Sequence, residues 1–229
     1  MSLSIIAEKT GPIHTRAPAH KTVGGMVMDS SAGLDAAIIA THTFDNAPPL
    51  DVILVPGGMG NRALVQSGNT KIEDFVARRF DETDYVLSVC TGSALLARAG
   101  LLDGRRATTN KAAWAFPVQF GRNVTWVPSA RWVRDGKVWT SSGVAAGMDM
   151  IYAFLRHIYG DPEVNNAFNR AEYAPHLDPD WDPFSVVHKV RPAGLCALAS
   201  SADVAVQVPG ADTTRPLANC VSPLKSYDI

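Results

Sequence analysis

A short apolar run that passes straight into a small-residue helix constrains this chain more than any other stretch. Tyr85-Val-Leu-Ser-Val89 has strand character, and Thr91 to Arg98 is rich in Ala and Leu, the composition of a helix. Cys90 stands between them. A strand that turns directly into a helix projects its junction residue above the sheet edge, the geometry of a nucleophile elbow carrying sulfur. The free N–H groups of the helix start favour thiolate over thiol, which predicts a reactive sulfur. Gly92 lets the chain bend tightly. A cysteine at a strand end is also a common packed residue, so these residues alone leave both roles open.

A second junction has the same form. Asp51-Val-Ile-Leu-Val55 is a continuous apolar run closed by Pro56-Gly57-Gly58. Continuous runs mark strands covered on both faces, as in a parallel sheet. Ligands bind at the carboxyl ends of such strands, so the two junctions converge on one place. The backbone N–H groups of Gly58 and Thr91 are expected to form an anion-stabilising hole beside Cys90, with Gly57 behind them. Taken alone, the Gly57-Gly58 pair reads as a tight turn.

The remaining elements alternate. Extended pieces are expected at Leu3–Ala7, Val23–Met28 and Ala37–Phe44, with a polar connection from Glu8 to Pro18 carrying His14. Helices are expected at Asn61–Val65, Thr70–Phe80 and Lys111–Phe120, the last shortened by Pro117. Val124–Val127 and Arg131–Arg134 read as extended, and Asp135-Gly136 reads as a hairpin turn into Val138–Thr140. A long apolar helix follows from Val144 to Tyr159, then another from Asp161 to about Tyr173, with Asp161 as its cap and Pro162 at its first position. The order implies an α/β layered fold with a mainly parallel sheet. Residues 1–190 are expected to form the domain, and residues 191–229 a poorly ordered tail whose one strand-like piece is Ala202–Val208.

Composition excludes several classes. The net charge of −1 leaves no basic surface for nucleic acid and no acidic tail for a cationic partner. The three cysteines, at 90, 196 and 220, have neither disulfide-framework nor zinc spacing, so no metal is expected. No apolar run spans a bilayer and no signal peptide opens the chain, which makes the cytoplasm the expected compartment. Nothing in the sequence suggests a cofactor. His14, His20 and His42 read as solvated, His157 as a helix-face residue, and His176 as a candidate cleft residue. Asp149 and Glu172 read as structural pairing residues.

Four segments in order resemble the DJ-1/PfpI superfamily. They are Asp51–Gly58, Ser88–Ser93, Leu101–Thr109 and Thr140–Asp149, within a stretch from about residue 3 to 175. The resemblance implies a flavodoxin-like three-layer α/β sandwich. Cys90 followed by Thr91-Gly92 is similar to the isocyanide hydratase branch, and to sensor domains of some AraC-type regulators. No helix-turn-helix pair follows residue 175, which argues against a regulator. The hydratase branch implies a lyase with Cys90 as nucleophile, Thr91 and Gly58 as N–H donors, a small-molecule substrate and a homodimer. Its chemistry is addition of the thiolate to an isocyanide carbon and release of an N-substituted formamide. The alternative is a non-catalytic or redox-sensing member.

Two departures stand out. The family's acidic residue lies in a first strand–helix unit that precedes the segment matched by Leu3–Ala7, and that unit is not found here. The family strand is internal to the sheet, so its absence predicts an open edge. An incomplete chain, a partner chain, or the segment Asp203–Val208 would each account for it. Relatives also read Thr-Thr-His-Trp where this chain has Thr108-Thr109-Asn110-Lys111. Asn110 can hydrogen-bond but is no base near neutral pH, so no Cys–His dyad is expected there.

Overall fold

The computed structural model describes residues 2–14, 22–23, 26–27 and 36–190; the tail expectation for 191–229, its strand-like piece, and His20 lie outside the described residues. The described elements run in the order β1 (Ile6–Ala7), β2 (Gly11–His14), β3 (Thr22–Val23), β4 (Met26–Val27), β5 (Ala37–Ala40), β6 (His42–Thr43), β7 (Val52–Val55) and α1 (Met59–Gln66). They continue with α2 (Lys71–Arg79), β8 (Tyr85–Val89), α3 (Gly92–Arg98), β9 (Arg106–Ala107), β10 (Thr125–Trp126), β11 (Trp132–Asp135) and β12 (Val138–Ser141). Three helices close the series: α4 (Val144–Tyr159), α5 (Asp161–Arg170) and α6 (Phe184–Val187).

The central sheet has the order β11-β12-β8-β7. Strands β7, β8 and β12 are parallel, and β11 joins as the antiparallel arm of the Asp135-Gly136 hairpin. The fold is therefore α/β with a mainly parallel sheet, as the alternation of elements implies. Smaller parallel pairs, β1 with β6 and β9 with β10, are not laddered into it, although β9 packs against β11 and β12, and β2 pairs antiparallel with β5.

Alternation along each strand builds two cores, one on each face. Ile53, Val55, Val86 and Val138 face one way, onto Phe75 and Val76 of α2 and Leu95 and Leu96 of α3. Leu87, Trp132 and Trp139 face the other way, onto Met150 and Phe154 of α4. The Phe154 ring sits edge-on to Tyr85 and Trp139, with centroids 5.2 and 5.5 Å away. Helix α4 packs on β8, β11 and β12. On that same face β7 leaves Val52 39% and Leu54 48% exposed. Strand β7 also ends the sheet, so its outer edge carries no strand among the described residues.

Several sequence expectations need correction. The expected helix Lys111–Phe120 is a series of turns with a single 3-10 turn at Pro117–Gln119, and the Lys111 side chain folds back onto the Thr109 carbonyl. Asp161 does not cap α5; it is the first helical residue, Gly160 is the cap, and the Asp161 carboxylate pairs with Arg156. The helix also stops at Arg170, since Glu172 takes a φ of +51°. The polar connection contains β2, which places His14 on a strand, and the extended piece at 37–44 divides into β5 and β6, with His42 on β6. Of the first expected strand, Ile6–Ala7 forms the ladder and Ile5 bonds to Thr41 and His42 beside it.

Candidate functional site

Cys90 adopts a φ of +58°, a left-handed conformation that a non-glycine residue rarely holds. The strain is fixed from several sides. Its N–H donates to the Ser142 carbonyl at 2.9 Å, beyond the end of β12. Its carbonyl accepts the hydroxyls of Ser93 and Thr109, each at 3.0 Å. These bonds come from β12, α3 and the 108–111 turn, so the surrounding structure over-determines an otherwise costly backbone.

Two glycines let the strand ends meet. A Cβ on Gly57 would stand 2.5 Å from the Cys90 Cβ and 3.0 Å from its Sγ. A Cβ on Gly92 would stand 2.3 Å from the Val55 carbonyl oxygen. The end of β7 therefore lies directly against the β8–α3 junction.

Thr91 ties the two loops together. Its Oγ1 accepts the Gly58 N–H at 3.0 Å and the Asn61 amide at 3.3 Å, and reaches the Gly58 carbonyl at 3.2 Å. The Gly58 N–H thus points at the Thr91 hydroxyl and not at the Cys90 sulfur, contrary to the expected N–H pair. Thr91 offers its backbone N–H and its hydroxyl to the Cys90 sulfur, and the Asn110 side chain adds a third hydrogen bond. The Asn110 Oδ1 is already engaged by the Ala113 N–H at 2.9 Å. The amide nitrogen is therefore the end that faces the sulfur.

Burial pushes the Cys90 thiol up from its ordinary range, outweighing the Thr91 and Asn110 hydrogen bonds that pull it down. This reverses the expectation of a thiolate favoured by the helix start. The thiol is half-buried and desolvated, and α3 is a short helix of 7 residues. Among the described residues no carboxyl group is a hydrogen-bond partner of the sulfur.

A cavity of about 260 Å³, which Cys90 itself does not line, is bordered by Asn110, Lys111, Arg131, Ser142, Asp182 and Phe184. Asn110 and Ser142 belong both to this wall and to the Cys90 contacts. Lys111 is 3% exposed and burial lowers its pKa to about 7, with Asp182 acting in the opposite direction.

Behind the cavity lies a buried charge network that the sequence did not reveal. Arg131 Nε donates to Asp149 at 2.5 Å, and the Arg131 guanidinium lies 3.7 Å from Asp182. Asp149 also accepts the Tyr173 hydroxyl at 2.5 Å and the His176 backbone N–H at 3.0 Å. Burial and the Asp149 carboxylate push Tyr173 up to about 12. The network clasps the segment after α5 to the core, so Asp149 has the structural role expected of it. His176 contributes its backbone, while its side chain is exposed. His157 bonds Tyr85 and Arg134 on the helix face. A single charged residue, Lys111, ahead of the apolar run Ala112-Ala-Trp-Ala-Phe116 is the one sequence signal that flags it.

Comparison with known proteins adds the family. The model of the "DJ-1/PfpI family" matches residues 12–157. An isonitrile hydratase of Pseudomonas putida is 37% identical over 167 residues, covering 71% of this chain and 70% of that protein. An HTH-type transcriptional regulator of Pseudomonas aeruginosa is 33% identical over 116 residues, covering 51% of this chain and 30% of the regulator. Among solved structures, a THiJ/PfpI family protein from Pseudomonas syringae has a TM-score of 0.59 at 29% identity, covering 80% of this chain and 66% of that one.

Proposed function

The chain belongs to the DJ-1/PfpI family, and within it we propose a cysteine-dependent hydratase that converts an isocyanide to an N-substituted formamide. The observation that carries this reading is Cys90 held at φ +58° with Thr91 and Asn110 donating to its sulfur. The similarity to an isonitrile hydratase across 70% of that protein supports the substrate class.

The steps balance around one sulfur. At rest the sulfur carries a proton, because burial holds the thiol up. The sulfur bonds to the isocyanide carbon and that proton passes to the same carbon, giving a thioimidate. Water then adds to the carbon, the C–S bond breaks, and the formamide leaves as the thiol is restored. Thr91 and Asn110 stabilise the charge that develops on sulfur as the proton departs. Gly58 orients the Thr91 hydroxyl, and Gly57 leaves room for Cys90. The cavity receives the substituent on nitrogen, and its volume of about 260 Å³ suits a small ring. A small-molecule substrate, a homodimer and a cytoplasmic location belong to the same proposal; no described helix is long and apolar enough to cross a membrane.

Formamide release from cyclohexyl isocyanide, followed by mass spectrometry, tests the reading. The full chain is expected to turn over and Cys90→Ala to be inactive. Equal turnover by both would remove Cys90 from the mechanism.

A second reading rests on the raised thiol and the lack of a described carboxyl partner at the sulfur. In it the protein is a redox-responsive member without turnover. It requires conversion of Cys90 to a sulfinic acid by low peroxide together with no formamide from any isocyanide.

A further inference from the structure

Lys111 belongs to no step above, yet it is the most deeply buried cation beside the cavity, with 3% of its surface exposed. Its Nζ donates to the Thr108 Oγ1 at 2.7 Å, the Ala130 carbonyl at 2.7 Å and the Thr109 carbonyl at 3.3 Å. Among the described residues no carboxylate lies within the 4.0 Å of an ion pair with it. Two of its acceptors belong to the residues just before Asn110. The third belongs to the loop that Arg131 and Asp182 brace, where the Asp182 N–H meets the Ser129 carbonyl at 2.6 Å. The lysine side chain therefore closes a ring around Asn110 and anchors that ring to a rigid loop.

We infer that Lys111 is a positioning residue for the Cys90 sulfur: it holds the Thr108–Lys111 turn in the shape that keeps the Asn110 amide on Sγ and the Thr109 hydroxyl on the Cys90 carbonyl. Three observations meet in this assignment. Asn110 reaches the sulfur with its amide nitrogen, since Oδ1 is taken by Ala113. Thr109, whose carbonyl Lys111 grips, reaches the Cys90 carbonyl at 3.0 Å. Thr108, whose hydroxyl Lys111 grips, is itself fixed to β12, its N–H donating to the Thr140 Oγ1 at 2.9 Å. The expected helix over this stretch does not form, and the lysine's grip on its own turn takes the place of helical bonds. A neutral amine has two hydrogens to donate and keeps the two 2.7 Å contacts, so the grip survives loss of the proton, which desolvation brings down to about 7.

The inference rests on Cys90 being the reactive thiol, but not on which substrate it takes. Its test therefore uses iodoacetamide on the full chain, with the modified Cys90 peptide quantified by mass spectrometry at a series of pH values. Lys111→Met, Asn110→Ala and the double variant are compared with the parent. Loss of a hydrogen bond to a charged group shrinks the thiolate fraction about tenfold, one pH unit in the thiol profile. Each single variant is expected to show that shift, and the double variant no more than either alone. Additive shifts, or a parent-like profile in Lys111→Met, would overturn the assignment and leave Lys111 a structural residue. Should Lys111→Met fail to fold, Thr108→Val removes one acceptor and is expected to shift the profile in the same direction by less; no shift there refutes the proposal. Failure of isocyanide turnover with the shifts intact would sink the hydratase reading alone.

Discussion

Strands β7 and β8 are neighbours of nearly the same composition, yet they live in different surroundings. Val52-Ile-Leu-Val55 and Tyr85-Val-Leu-Ser-Val89 are both short apolar runs in parallel register, with Leu54 opposite Leu87. Leu87 is 1% exposed and Leu54 is 48% exposed. The difference arises outside the two strands. Helix α4 covers β8 and β12, and its layer ends before β7. A strand's burial thus depends on how far the helical layer above it reaches, which is a tertiary property. The closed side supports Cys90, while the open side presents Val52 and Leu54 next to an edge that carries no strand among the described residues.

The sharpest way to break the comparison is to damage the closed side where charge is buried. Asp149→Ala takes the closer of two carboxylates from buried Arg131, leaving Asp182 at 3.7 Å, and is expected to cost about 3–5 kcal/mol in urea unfolding. A loss under ~1 kcal/mol would mean that the clasp after α5 contributes little. Leu87→Ala should cost about 2–5 kcal/mol, because it opens a cavity beneath Trp139 and Phe154. Gly57→Ala forces a Cβ onto Cys90 and is expected to cost about 1–3 kcal/mol. It should also displace the sulfur, so alkylation of Cys90 would change together with the melt.

The pH response is smaller and has a definite sign. Lys111 titrates near 7 in the folded protein, against an ordinary value of 10.5. Between pH 7 and 9 the unfolded chain holds the extra proton, so this group makes stability rise with pH. Comparison of Lys111→Met with the parent isolates the term: the parent's stability should climb more steeply over that window. Equal slopes would mean that the lysine is not desolvated. Above pH 9 Cys90 and then Tyr173 act in the opposite direction, since both ionise later in the fold than in the unfolded chain. The smallest effect belongs to the open strand. Leu54→Ala should cost less than about 1 kcal/mol, because half of the side chain is already in water. A cost equal to that of Leu87→Ala would show that the β7 edge is covered in solution.

Much of the site could be read in the chain because it is local. The strand–Cys–helix junction, the Gly57-Gly58 end of β7 and the Asp135-Gly136 hairpin each depend on a few adjacent residues, and each stands where expected. The helix Val144–Tyr159 also matches, since its apolar pattern is long and uninterrupted. After Thr109 local propensity favours a helix, while the bonds from Lys111 to Ala130 and Thr108 favour a turn. The thiol departs from expectation for a related reason. The helix start is visible in sequence, but the desolvation that outweighs it depends on what packs around Cys90.

By itself, the sequence determined the order of strands and helices and the strained junction that carries the sulfur, because both follow from short-range patterns of apolar residues and glycines. Only the tertiary structure decided what surrounds that sulfur. It brings Asn110 and Gly57 to Cys90 from two separate loops. It buries Lys111 against Ala130, and it leaves β7 half bare while covering β8. Hydrogen-bond partners and solvent exposure are set by residues far apart in the chain, so no local pattern of the sequence encodes them.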